Sequence, residues 1–379
     1  MWNRKMNSKY IVVLILGGLL VSCKPSLRNA APEYLYAGAT KSVADTCIME
    51  RLSVFSFEDT PNSLFTNIDR ALKFDGLYYL LDRTMNQILV FDDFGKYIRL
   101  INKIGNGVGE YSKLRDIAID RYEKKLLLLV QPSSILYYNL DGTYDRTLSL
   151  KGYHNGLSVD SSNIYVVNST YVNNKSTHYS MTVISKEGGG MKEVLEPLRE
   201  IAPYCYSQGV PVSATDLVYY TRRFDNTIYS LAGNNINPAY RIDWAGHTFP
   251  ENLKDQTYEC IELNKLCKDN EYVYSITDVQ ESDNALLFRT NLLGLCVLSK
   301  KDKTVRRYNM VMNVECNAPL PSYIPVGGEG HEVFFVYPAY ALSGLKKRIP
   351  EKIASGEVGK LIRSLNEESN PLVFRYELK

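Results

Sequence analysis

Between Tyr78 and Leu100 the chain reads YYLLDRTMNQILVFDDFGKYIRL: an apolar run, a polar turn, a second apolar run, a turn ending in Gly95, and a third run. Short apolar runs rich in Tyr, Val, Ile, Leu and Phe, bounded by Asp, Asn and Gly, predict β-strands rather than helices. The pattern returns from Leu126 to Leu150 as LLLLVQPSSILYYNLDGTYDRTLSL. Residues 88–91 then overlie 135–138, and Gly95 overlies Gly142, an offset of 47 residues. That period is in the range of propeller blades. YYTRRFDNTIYSL from Tyr219 and the run from Ala285 repeat it, and the run from Tyr165 fits between Leu150 and Tyr219 with a longer turn.

Two segments break the pattern. Residues 252–269 and 345–368 carry apolar residues at helical spacing and are predicted as helical insertions. The strand CIMERLSVFSFED near the N-terminus has no partners nearby, and NPLVFRYELK ends the chain. Sheets avoid open edges, so pairing these two strands is the expected closure. The expected fold is all-β: a six-bladed propeller of four-stranded antiparallel blades, closed by its N- and C-terminal strands.

The stretch IGNGVGEY raises a separate question, because Gly105, Gly107 and Gly109 alternate. A dinucleotide loop requires G-x-G-x-x-G before a helix. Here the spacing is G-x-G-x-G, and residues 114–120 alternate as a strand. The glycines therefore read as a connector between strands.

Residues 1–22 read as a leader. Arg4, Lys5 and Lys9 precede a short apolar stretch that ends in Leu20-Val21-Ser22-Cys23. This matches a bacterial lipobox, with Cys23 as the acylated first residue of the mature chain. Residues 23–44 then form a tether, and 45–379 a single domain. No acidic run follows Cys23; resemblance to Bacteroides-like lipoproteins, in which such a run accompanies surface display, implies the periplasmic side of the outer membrane. The whole chain has a formal charge of +2, and loss of the three leader cations leaves −1. Near neutrality gives no electrostatic reason to expect nucleic acid. Of 7 cysteines, Cys23 takes the lipid. Cys260 and Cys267, on one helix about 10 Å apart, lie beyond disulfide reach. The remaining thiols are expected buried and free.

Together, Cys23, IGNGVGEY followed by LRDIAID, ILVFDDFGK and the closing NPLVFRYELK resemble the six-bladed β-propeller lipoproteins of Bacteroides-like bacteria, relatives of NHL and TolB-like propellers. The resemblance covers nearly all of the mature chain. It implies fold more than function, because propellers host many activities.

In an antiparallel blade, the turns joining second to third strands and the links between blades emerge at one end. That end holds the candidate ligand residues. Arg83, Arg222 and Arg223 lie in equivalent turns, suited to clamping a carboxylate or phosphate, or simply solvated. Tyr111, Tyr171 and His154 suit stacking on a sugar or peptide, or packing between blades. Arg115 and Asp116 open an innermost strand, as ligand groups or as a structural ion pair. No catalytic set stands out: the four His lack metal-ligand spacing and no Gly-x-Ser-x-Gly elbow occurs. No metal ligands and no cofactor are assigned, with room left for calcium. The expected function is binding a glycan, a peptide or an envelope protein through the loop face. The alternative is a hydrolase or lyase with a metal on the axis, which rests on fold analogy.

Overall fold

In the central strands both faces are buried, and this is what the runs of consecutive apolar residues encode. Within Leu77–Asp82, Tyr79 and Leu81 pack with Ile117, Leu126 and Leu128, while Tyr78 and Leu80 pack with Val326, Phe334 and Val373. Within Lys125–Val130, Leu126 and Leu128 share the first of those clusters, and Leu127 and Leu129 turn to Leu157, Ile164 and Val166. Four consecutive leucines therefore serve two interfaces. Burying each contributes roughly 1.5–3 kcal/mol.

The structure is a computed structural model that describes residues 31–379, apart from 170–178, 197–200, 203–204, 206–208, 214–216 and 234. It is all-β in character, with few helices. Strands pair antiparallel in chain order in runs of four, from Arg70–Phe74 to Tyr97–Ile101, Leu114–Asp120 to Tyr144–Ser149, His154–Val159 to Met191–Val194, and Ile276–Glu281 to Thr304–Asn313. Val218–Thr221, Thr227–Ala232 and Asn235–Asp243 make another run, with residues 211–213 beside its first strand. There the Ser213 N–H donates to the Tyr219 carbonyl at 2.8 Å and the Thr221 N–H to that of Pro211 at 2.9 Å. The last run is Ser322–Gly328, Glu332–Tyr337 and Leu372–Leu378, completed from the other end of the chain by Met49–Ser56. The expected pairing of the chain ends is present, in antiparallel register from Met49 opposite Leu378 to Ser56 opposite Leu372.

The first strands of these runs bond to one another in sequence. Arg70 Nη1 donates to Asp116 Oδ2 at 2.7 Å, and the same oxygen accepts the Leu157 N–H at 2.7 Å. Ser158 Oγ donates to the Ser213 carbonyl at 2.7 Å. The Asp278 N–H donates to the Val210 carbonyl at 3.0 Å, and Asp278 Oδ1 accepts the Val210 N–H at 2.9 Å. Tyr323 Oη donates to the Asp278 carbonyl at 3.2 Å, and Val326 pairs in parallel with Ala71. The result is a nearly closed, barrel-like ring of inner strands.

Three elements differ from the sequence reading. Residues 33–44, read as tether, include the strand Glu33–Ala44, which pairs in parallel with both Asn235–Asp243 and Thr304–Asn313. Its buried Tyr34 and Tyr36 alternate with exposed neighbours. The first helical insertion starts later than expected, at Cys260–Asn270, because Glu259 and Glu262 form a capping box there. The second is broken into Leu342–Arg348, Glu351–Ala354 and Glu357–Ser364. Pro350 removes one backbone donor and keeps Ile349 extended, and Gly356 caps the last piece.

The glycine connector turns the chain, as its sequence implies. Its loop closes on the chain's own carboxylate: the Gly107 N–H donates to Glu110 Oε2 at 2.7 Å. Gly109 is held at φ +76°, and a Cβ there would lie 2.6 Å from the Tyr144 ring. Only glycine fits that position.

Candidate functional site

At the end of the ring where the links enter the first strands lies a small cavity. Ile68, Asp69 and Arg70 border it at the start of one inner strand, and Tyr323, Ile324 and Pro325 at the start of another. Val210 and Val212 come from the short inner segment, and Asp278, Val279 and Gln280 from the strand Ile276–Glu281. Arg289, near the end of the paired second strand, closes the wall. Its walls combine aliphatic side chains with a few placed polar groups, the composition of a small-ligand site.

Asp278 organises one side. Its φ is +56°, and the pairing register shifts between Thr277 and Gln280. A bulge with a left-handed Asp costs roughly 1–3 kcal/mol, and bulges re-aim side chains at rims and sites. The Asp278 carboxylate receives Arg289 Nε at 2.7 Å and Nη2 at 2.5 Å. Gly209 lies so close that a Cβ would fall 2.0 Å from Asp278 Oδ2. On the other side, Arg70 and Asp116 form an ion pair with each side chain 5% exposed. Burial pushes the Asp116 carboxyl above its ordinary value, against the pull of Arg70 and the N–H groups of Leu157 and Ile117. The pair thus carries a desolvation cost offset by several bonds.

Of the residues singled out from sequence, the structure brings Arg83 and Asp116 to this end. Arg83 Nη2 donates to Asp69 Oδ1 at 2.8 Å, and Asp69 borders the cavity. Asp116 touches the cavity through Arg70. Arg115 faces the Gln131 side chain, whose oxygen accepts its Nε at 2.8 Å and Nη2 at 2.6 Å. Tyr111 is buried between sheets, its hydroxyl donating to the Asn86 carbonyl at 3.1 Å, and burial pushes its phenol up to about 12. His154 is buried against Asn168 Oδ1 at 3.0 Å, and burial lowers its pKa. Arg222 is held within its own turn by Asp225 at 2.7 Å and by Tyr229. Arg223 binds the carbonyls of Ala202 and Cys205. Tyr171 and Cys23 lie outside the described residues.

Sequence reasoning passed over Asp69, Arg70, Asp278, Gln280 and Arg289. Asp69 precedes and Arg70 opens the strand Arg70–Phe74, and Asp278 and Gln280 lie in the mostly polar ITDVQE, so only Arg289, near the end of ALLFRT, stands out as a charge in an apolar strand.

Cys47, Cys205, Cys260, Cys267, Cys296 and Cys316 are free. Burial pushes the Cys205 and Cys316 thiols up to about 11 and those of Cys267 and Cys296 up to about 12. Such thiols stay protonated and unreactive at neutral pH. Among the described residues, no three His, Cys, Asp or Glu side chains come together as metal ligands. No described helix is long and apolar enough to cross a membrane.

The fold is similar to that of a Bacteroides fragilis protein described as a candidate exported protein, with TM-score 0.73 and 16% identity over 92% of this chain and 100% of that one. A member of the DUF4221 family from Bacteroides vulgatus aligns with TM-score 0.47 and 10% identity, covering 87% of this chain and 98% of that one. BamB from Moraxella catarrhalis aligns with TM-score 0.41 and 9% identity, covering 76% of this chain and 75% of that one. No curated protein matches the sequence. The model of DUF4934, a domain of unknown function, matches residues 39–377, and the chain belongs to that family.

Proposed function

We propose that this chain is an extracytoplasmic six-bladed β-propeller, tethered through Cys23, that binds a ligand or partner in the cavity bordered by its inner strands. The blades are the four-stranded runs, with 211–213 as the inner strand of the fourth. Support for the count comes from the apolar clusters. Each run shares one cluster with the run before it and another with the run after it, and the last shares one with the first.

The observation that carries the binding reading is the cavity itself. Four inner strands converge on it, a strained Asp278 is maintained in its wall, and its other charges are held in pairs. Maintaining strain and buried charge at one spot costs stability that packing alone does not require. A glycan, a short peptide or a loop of an envelope protein is the occupant. Secretion into the envelope fits the leader-like residues 1–22 and the exported relative of similar fold. Catalysis through an axial metal has no described ligand set in its favour.

The test is a thermal-shift panel of glycans, short peptides and divalent cations on the chain lacking its leader, run in parallel on Val210→Trp, which fills the cavity. A ligand that binds only the folded state, at 100 times its Kd, adds about 2.7 kcal/mol. The expected result is a shift in the wild type that is lost in Val210→Trp. A ligand that shifts both proteins equally would place binding elsewhere and overturn the cavity reading.

A further inference from the structure

Two atoms at the cavity lack what its other polar groups have. Arg70 donates from Nη1 to Asp116 at 2.7 Å, but its Nη2 has no partner. Gln280, 0% exposed, donates from Nε2 to the Val326 carbonyl at 3.4 Å, and its Oε1 has no partner. The Val326 carbonyl fixes the orientation of that amide, since the flipped form would set two oxygens against each other. A buried donor or acceptor left unpaired costs roughly 1–3 kcal/mol. One donor and one acceptor therefore remain unused in the wall of one cavity.

The charges there cancel. Arg70 faces Asp116, Arg289 faces Asp278, and Arg83 faces Asp69. An ion would gain little from such a site. An uncharged group that both donates and accepts complements one unused donor and one unused acceptor, and an amide, with its carbonyl and its N–H on separate atoms, can reach both at once where a single hydroxyl oxygen must serve both. The walls separate the sources of amides. Ile68, Val210, Val212 and Ile324 are aliphatic, while Tyr323, the one aromatic ring among the described residues of the lining, is 3% exposed and tied to the Asp278 carbonyl. Among the described residues, no open ring face is offered for a sugar to stack on.

Resting on the reading of the cavity as a ligand site, we propose that it binds an uncharged peptide segment. A backbone carbonyl of the peptide accepts from Arg70 Nη2, a backbone N–H donates to Gln280 Oε1, and an aliphatic side chain packs against Val210 and Val212. Gln280 is a specificity residue, because it reads the N–H that distinguishes an amide from an ester.

The experiment is calorimetric titration of the chain lacking its leader with N-acetyl-alanyl-valine N-methylamide. The probe is compared with its depsipeptide, in which an ester oxygen replaces the central N–H. The amide is expected to bind at least tenfold tighter than the ester to the wild type. In Gln280→Met the two are expected to bind alike, with an unfolding midpoint near that of the wild type, because the unpaired acceptor is removed together with the long 3.4 Å bond to the Val326 carbonyl. A purely structural Gln280 would lower the midpoint and leave the amide–ester ratio unchanged, which overturns the proposal. Saturation by N-acetylglucosamine or by an acidic peptide, with no binding of the blocked dipeptide and with loss in Val210→Trp, would also overturn it while keeping the cavity as the site. No cavity-dependent binding by any of these probes would remove both readings.

Discussion

Tyr78→Phe removes one oxygen from the junction between the run that starts at Arg70 and the run that holds the chain ends. Tyr78 is 0% exposed. Its hydroxyl donates to Glu332 Oε2 at 2.6 Å and accepts from Arg375 Nη1 at 2.9 Å. Lys73 Nζ reaches the other Glu332 oxygen at 2.7 Å and Asp93 at 3.0 Å. Burial, then the adjacent Glu332, raises the Tyr78 phenol above its ordinary value, so it is a donor at neutral pH. Deleting the hydroxyl leaves Glu332 with Lys73 and leaves Arg375 with the half-buried Asp93. Each loses one bond to a charged group, and such bonds are worth roughly 1.5–3 kcal/mol. The void is small, so the net cost is expected at about 2–3 kcal/mol, read by denaturant unfolding with an unchanged slope. Glu332→Gln in the same background isolates the pair. A double-mutant cycle is expected to give a coupling of about 0.5–3 kcal/mol. Additive single effects, within about 0.3 kcal/mol, would show that the two runs are not joined through these side chains and would refute the reasoning.

Leu127→Ala and Leu128→Ala point to opposite faces of one strand, yet each is expected to cost about 2–5 kcal/mol in chemical unfolding, because both faces are covered. A cost under about 0.5 kcal/mol for either would mean that one face is open to solvent. The buried His154 has a lowered pKa, so its neutral form is favoured in the folded state. The stability this contributes is present above the unfolded-state pKa of about 6.5 and is lost as pH falls through the folded value. Wild type is therefore expected to lose more stability than His154→Gln between pH 7 and pH 5, and parallel curves would count against it. Gly109→Ala combines a positive φ with a clash on Tyr144 and is expected to lower the unfolding midpoint, at a cost above about 1 kcal/mol. An unchanged midpoint would mean that the connector adopts another path.

Much of the architecture was legible because it rests on local alternation. The offset between residues 88–91 and 135–138 marks repeated strand pairs. The unpartnered strand near Met49 pairs with the chain's last strand, as edge avoidance requires. The strand Glu33–Ala44 was missed because its signal, Tyr34 and Tyr36, fades into Ala-Gly-Ala after two alternations. The cavity was hidden for a different reason. Periodicity says that a residue is on a strand, but not which neighbouring strand it meets. Arg70 and Asp116 are 46 residues apart and meet only through adjacent inner strands. Asp278 looks like one polar residue in an ordinary strand, and its bulge depends on Val210 and Arg289. The turn arginines were visible as charges, and Arg222 and Arg223 fasten their own surroundings.

The central claim is a ring of strands closed by the two ends of the chain around a binding cavity. Glu50 and Glu377 are directly opposed across the closing pair, and both are exposed. Directly opposed residues of an antiparallel pair have Cα atoms about 4.5–5.5 Å apart, within disulfide range. The decisive measurement is mild oxidation of Glu50→Cys/Glu377→Cys, in a Cys47→Ser background, followed by peptide mapping and unfolding. A quantitative intramolecular disulfide is expected, with an unfolding free energy raised by about 5–6 kcal/mol, the loop-entropy value for the roughly 330 residues enclosed. Absence of the bond, or only intermolecular bonds, would contradict closure.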